Sequence, residues 1–89
     1  MQKEIVLNFY SDPGHGWVAV KKKFLAELGI ADKITPYSYH KGKTAYLEED
    51  CDYSTLIDAC KKHGIIVKLK EKTTNKRSVI RSYHRYLIA

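Results

Sequence analysis

The chain has 89 residues, of which 44% are hydrophobic and 29% are charged, and its mean hydropathy is −0.43. These values predict one small folded domain spanning residues 1–89, and they exclude a disordered chain. They also argue against a membrane protein, because no apolar run approaches the roughly 20 residues that a spanning helix needs. The N-terminal residues lack the apolar core of a signal peptide, so we expect a cytoplasmic protein.

The positive charge is concentrated at the C-terminal end. Residues 1–60 contain seven Lys/Arg and nine Asp/Glu, a formal charge of −2. Residues 61–89 contain nine Lys/Arg and one acid, a formal charge of +8, so the whole chain carries +6. A basic segment on a nearly neutral body favours a nucleic acid or an acidic protein surface as the partner.

The first third of the chain predicts a β-hairpin and a helix. Residues 4–10 are rich in β-forming side chains, turn residues follow, and the apolar run 17–20 predicts a second strand. Residues 21–28 have apolar positions at helical spacing, and Gly29 followed by an apolar residue is typical of a helix C-terminus.

The turn between the two strands has the sequence SDPGHG. We expect the Asp12 side chain to accept hydrogen bonds from the following backbone, Pro13 to restrict φ, and Gly14 to adopt a positive φ. Gly16 is suited to a β-bulge next to Trp17.

The second third repeats this order of elements. Strands are predicted at 34–39 and 44–48 around a tight turn at 41–43. A helix is predicted at 53–63, with Asp52 as its N-cap residue.

The last third completes the predicted fold. A strand is expected at 65–70, a polar loop at 71–76, and an amphipathic segment at 77–87 that is either a helix or a strand. The order is therefore ββα-ββα-β plus this C-terminal element. It predicts an α+β architecture in which two helices pack on one face of a small antiparallel sheet.

The C-terminal segment contains the candidate nucleic-acid site. Arg77, Arg81 and Arg85 are spaced four residues apart, so they share one side of either a helix or a strand. Guanidinium groups bind phosphate through two hydrogen bonds, and exposed tyrosines can stack on bases. Lys68, Lys70 and Lys76 extend the same positive surface. The alternative is a solvated basic surface that only maintains solubility.

A protein-binding modulator of a host factor is the second hypothesis. In that case the basic end meets an acidic surface, and an exposed aromatic residue anchors the contact. The candidate contact residues are His15, Trp17, Tyr46 and Tyr86.

The chain lacks the familiar signatures of an enzyme. The glycines of the first turn match neither a P-loop nor a dinucleotide-binding fingerprint. Ser11, Asp12 and His15 are close in sequence, but nothing in the pattern predicts an oxyanion site or a substrate pocket. We therefore expect no catalytic residue and no enzymatic activity.

The sequence does not predict a metal site or a cofactor. Cys60 and His63 form one close ligand pair, whereas structural zinc sites normally contain two. The acidic residues 48–52 are explained by the favourable interaction of carboxylates with a helix N-terminus. We expect Cys51 and Cys60 to be reduced, and Cys60 to serve as a small apolar residue on the second helix.

Several short stretches resemble a group of small proteins from bacteriophages, prophages and plasmids. They are YSDPGHGW at 10–17, LAELGIADKI at 25–34, YSY at 37–39, YLEEDCD at 46–52 and RSVIRSY at 77–83. The resemblance implies a mobile-element origin and a location in the host cell cytosol. The group has no established activity, so the resemblance assigns no residue a role. We therefore expect an accessory protein that acts by binding.

Overall fold

The computed structural model describes residues 3–87, which form six strands, two α-helices and two short 3-10 turns. The strands are β1 (Lys3–Ser11), β2 (Gly16–Lys21), β3 (Tyr39–Lys41), β4 (Thr44–Glu48), β5 (Ile65–Thr73) and β6 (His84–Arg85). The helices are α1 (Lys22–Glu27) and α2 (Asp52–Lys62), and the 3-10 turns are Ala31–Lys33 and Val79–Ser82.

The six strands form one sheet in the order β5-β1-β2-β4-β3-β6. All neighbouring strands are antiparallel except β1 and β5, which run parallel along their full lengths. This confirms the predicted α+β class and the mainly antiparallel sheet. β5 and β6 are the two edges, although they are consecutive strands in the chain.

Both helices pack on one face of the sheet. Val18 and Leu47 from the central strands are fully buried against Leu25 of α1 and Leu56 of α2. Cys60 lies in the same core with 1% of its surface exposed, as predicted, and neither cysteine forms a disulfide. Apolar burial of this kind contributes about 25 cal/mol per Å² and provides the main favourable free energy of folding.

The two helices end at glycines, as the sequence predicts. Gly29 and Gly64 have φ values of 75° and 69°, a region that other residues rarely adopt. At the end of α1, the backbone N–H of Ile30 donates to the carbonyl of Leu25, which is the hydrogen bond of a Schellman motif.

The segment after β5 differs from the predicted regular element. It must cross the sheet from one edge to the other, five interstrand spacings or roughly 24 Å. In a helix, the eleven residue steps from Thr73 to His84 would advance only about 16 Å. The segment therefore stays largely extended, with one 3-10 turn, and ends in the short strand β6. We call residues 74–83 the crossing segment.

The third predicted strand is also shorter than expected. Residues 34–38 form a loop, because the polar groups of Thr35 and Ser38 in this loop bind to Asp52 instead of to a neighbouring strand. The sequence predicts Asp52 as the N-cap of α2, but Asp52 is the first residue of the helix and Cys51 is the N-cap. Its buried carboxylate accepts hydrogen bonds from the backbone N–H and hydroxyl of Thr35 and from the hydroxyl of Ser38.

We expect Asp52→Asn to lower the free energy of unfolding by about 1–3 kcal/mol, because its amide group would face donors without an acceptor. Urea denaturation monitored by circular dichroism measures the change. Asp58→Asn, on the exposed side of the same helix, is the matched control and should change it by less than about 0.5 kcal/mol. Equal effects of the two substitutions would contradict the anchoring role of Asp52.

Candidate nucleic-acid interface and the neighbouring cleft

The face of the sheet opposite the helices carries a mixture of aromatic and basic side chains. Paired residues on neighbouring strands point to the same face, and every second residue of a strand shares that face. The observed register therefore places the following residues together on what we call the open face: Val6, Asn8, Tyr10, Ala19, Lys21, Tyr39, Lys41, Thr44, Tyr46, Lys68, Lys70 and Lys72.

Three tyrosine rings form a row across the open face. The ring centroid of Tyr46 lies 6.3 Å from that of Tyr10 and 5.2 Å from that of Tyr83 in the crossing segment. The ammonium group of Lys41 lies 5.0 Å from the centroid of the Tyr83 ring. The three rings are half-buried, and burial raises the pKa of Tyr46, so its phenol is neutral at pH 7. We call these three residues the tyrosine row.

A groove of about 420 Å³ lies beside the tyrosine row. Tyr10 and Tyr46 form one part of its lining, and Asn8, Lys21 and Thr44 supply polar groups. Lysines of β5 stand at the sheet edge next to β1, which contributes the groove wall. An apolar surface with aromatic rings and bordering cations is suited to a ligand that has flat bases and a negative backbone.

The predicted basic residues are divided between several places. Lys68 and Lys70 lie on the open face, on β5. Lys76 and Arg77 are exposed at the start of the crossing segment, where they line a hollow with Lys72. The predicted stripe of three arginines is not formed, because the crossing segment is neither one helix nor one strand.

Of the other two arginines, Arg81 lies near the end of the crossing segment and Arg85 lies in β6. Arg85 is exposed, and its guanidinium lies 4.7 Å from the centroid of the Tyr39 ring. Arg81 is half-buried and binds the carboxylate of Asp12 through Nε (2.6 Å) and Nη2 (2.8 Å). Arg81 is therefore committed to a bond within the protein and does not present a free fork to phosphate.

Asp12 is the most heavily bonded carboxylate near the open face. Besides Arg81, it accepts hydrogen bonds from the backbone N–H groups of Gly14, His15 and Ser78, at 2.9–3.0 Å. The hydrogen bond from Arg81 holds the pKa of Asp12 far below its usual value, and the three backbone donors lower it further. The forward bonding predicted for Asp12 is confirmed, and the carboxylate also connects the turn to the crossing segment.

The two glycines of this turn are explained by close packing. Gly14 is not among the residues with positive φ, contrary to the prediction. A Cβ atom at Gly14 would lie 2.6 Å from Nη2 of Arg81, and one at Gly16 would overlap the ring of Phe9. Gly16 pairs with Ser11 in the ladder between β1 and β2, and its role is to admit the Phe9 ring.

A cleft of about 410 Å³ lies where the first turn, the loop after β4 and the crossing segment meet. Eight of its nine lining residues come from four of the stretches noted in the sequence, YSDPGHGW, YSY, YLEEDCD and RSVIRSY, and the ninth, Arg85, belongs to β6. The lining residues are His15, Trp17, Tyr37, Tyr39, Glu48, Asp50, Cys51, Arg81 and Arg85. Sequence reasoning did not predict this cleft, because its walls come from stretches that are far apart in the chain.

Two of the predicted contact residues are buried. Trp17 is 2% exposed, with the guanidinium of Arg81 5.5 Å from its ring centroid. Tyr86 is 4% exposed, and its hydroxyl donates to the carbonyl of Ala31 at 2.7 Å. Neither residue can serve as an exposed aromatic anchor, since both pack within the fold. His15 is exposed beside the cleft, and Tyr46 is the middle ring of the tyrosine row.

No family model, no curated protein and no solved structure matches this chain. Within residues 3–87, neither helix is long and apolar enough to cross a membrane. The open face and the cleft are therefore the two features of the molecule that bear on its function.

We expect Asp12→Asn to lower the urea midpoint at pH 7, because the ion pair with Arg81 is lost. The folded-state pKa of Asp12 is depressed, so its stabilising contribution is complete above the unfolded value of about 3.9 and declines as the pH falls below it. The difference between the parent and the variant should therefore shrink from pH 4 to pH 2. Asp58→Asn is the control. A difference that does not depend on pH would contradict this assignment.

Proposed function

We propose that this protein binds single-stranded nucleic acid on the open face of its sheet. The observation that carries the proposal is the tyrosine row, which crosses a sheet face bordered by lysines. Bases would stack on or beside the tyrosine rings, and the lysines of β5 would follow the sugar-phosphate backbone. In this proposal the protein is a small phage or mobile-element accessory protein, and nucleic-acid binding is its activity.

The arrangement of the two faces favours a single strand over a duplex. The helices lie on the opposite face, so neither can enter a major groove from the basic surface. The open face carries half-buried tyrosine rings, and a ring can stack only on a base that is free of its own stacking partner.

The charge on β5 supports the same partner. Lys68, Lys70 and Lys72 are every second residue of this strand, so their side chains all point to the open face. The ammonium of Lys68 lies 3.8 Å from the carboxylate of Glu4, but both groups are exposed and such a pair contributes little. The lysines therefore retain most of their attraction for phosphate.

Arg81 supports this surface without touching the ligand. Its bond to Asp12 holds the crossing segment against the sheet, and this segment carries Tyr83 to its place beside Tyr46. Arg81 is thus a positioning residue for the tyrosine row.

The first test measures the electrostatic part of binding. Fluorescence anisotropy with a labelled oligothymidine of about twelve nucleotides gives the affinity at several salt concentrations. Removing two phosphate contacts by Lys68→Ala and Lys70→Ala together should reduce the slope of log K against log salt by about 1.4. The matched control is Lys61→Ala with Lys62→Ala, which removes the same charge from the end of α2 and should leave the slope nearly unchanged. Equal changes in the two double variants would contradict the proposed surface.

The second test measures stacking. We expect Tyr83→Leu to weaken oligonucleotide binding by about 1–3 kcal/mol, whereas Tyr83→Phe keeps the ring and most of the affinity.

An abasic oligonucleotide of the same length has the phosphates without the bases and should bind more weakly to the parent protein. Equal affinity for the intact and abasic strands would contradict stacking. Equal affinity for the oligonucleotide and for polyglutamate would instead indicate an acidic protein partner.

A further inference from the structure

Three ligand-type side chains converge at the edge of the cleft. His15 belongs to the first turn, Glu48 ends β4, and Asp50 follows in the next loop. One ligand atom from each residue lies within 4.8 Å of the other two. The backbone N–H of Asp50 donates to Oε2 of Glu48 at 2.9 Å, which fixes the two acidic residues relative to each other.

The Glu48 carboxylate has a buried oxygen without a hydrogen-bond partner. Glu48 is 8% exposed, and no donor within residues 3–87 reaches its Oε1 atom. A buried carboxylate oxygen without a donor is costly, and such atoms in folded proteins normally have a partner. The indole N–H of Trp17, which lines the same cleft, is also buried and has no acceptor among the described residues. Two buried polar atoms at this edge of the cleft therefore have no hydrogen-bond partner within the described residues.

The spacing of the ligand atoms suits a cation. Nδ1 of His15 lies 3.6 Å from Oε1 of Glu48, which is too long for a hydrogen bond. Two atoms that each lie about 2.1 Å from a tetrahedral ion are about 3.4 Å apart. A small cation between them would satisfy the orphaned Glu48 oxygen and the imidazole nitrogen together.

We propose that His15, Glu48 and Asp50 bind a divalent transition-metal ion of the Zn²⁺ or Mn²⁺ type. The imidazole nitrogen selects against Mg²⁺ and Ca²⁺, which prefer oxygen ligands, and the set contains no thiolate. Three protein ligands leave at least one coordination position free, as in catalytic rather than structural zinc sites. The exposed side chains of His15 and Asp50 place the ion at the mouth of the cleft. This proposal uses residues outside the tyrosine row and the β5 lysines, so it does not depend on the proposed function.

Isothermal titration calorimetry on the metal-free full chain tests the site. We expect one equivalent of Zn²⁺ or Mn²⁺ to bind and to raise the melting temperature, while Mg²⁺ and Ca²⁺ bind far more weakly. His15→Ala should weaken binding at least about tenfold, and because His15 is an exposed turn residue the variant should stay folded. Glu48→Gln removes the charge with little change of shape and should have a similar effect. Circular dichroism verifies that both variants are folded.

Two control variants separate this site from other ligands in the chain. Glu49→Gln alters the exposed neighbour of Glu48, and His63→Ala removes the histidine that follows Cys60. Both should bind the ion like the parent protein. In addition, Mn²⁺ should broaden the imidazole NMR signals of His15 more strongly than those of His63. Absence of binding by the parent chain, unchanged binding by His15→Ala, or loss of binding in His63→Ala would each overturn the proposal.

Discussion

The ion pair between Asp12 and Arg81 connects two parts of the molecule that are distant in sequence. Asp12 sits in the turn of the first hairpin, and Arg81 lies in the segment that crosses the sheet. The carboxylate receives two hydrogen bonds from the guanidinium and three from backbone N–H groups. Because one of these donors is Ser78, the crossing segment is held at two points. The burial of Trp17 and the position of Tyr83 depend on this attachment.

The two faces of the sheet are covered to different extents, and this difference creates the candidate sites. The helices supply a continuous apolar layer on one face. On the other face the crossing segment covers only part of the surface, because an extended chain is narrower than a pair of helices. The uncovered part contains the groove beside the tyrosine row, and the cleft opens beside the segment where it passes the first turn. A small domain thus presents two adjoining surfaces: an open face with tyrosines and lysines, and a cleft in which an imidazole and two carboxylates stand beside aromatic rings and two arginines.

Much of the fold was predictable from local patterns. The strand at 44–48, both helices and their terminal glycines follow from hydrophobic periodicity and capping residues, which act within a few positions. Predictions failed where a distant group competed with a local preference. Asp52 was expected to cap its own helix but binds the loop before β3. Gly14 was expected to adopt a positive φ, but a glycine is required there because a Cβ atom would collide with Arg81. The candidate sites were less predictable: Lys68 and Lys70 were foreseen on the basic surface, whereas the cluster of His15 with Glu48 was not.

The sequence by itself determined the α+β class, the approximate bounds of most elements and the excess of positive charge in the last third of the chain. These properties depend on composition and on interactions between near neighbours. Only the tertiary structure decided that Arg81 is an internal partner, that Trp17 is buried and that His15 stands beside Glu48 and Asp50. The physical reason is the strand order: β5 and β6 occupy opposite edges, so the chain must cross the sheet. That crossing brings the last basic segment onto the first turn, and no periodicity along the chain encodes this contact.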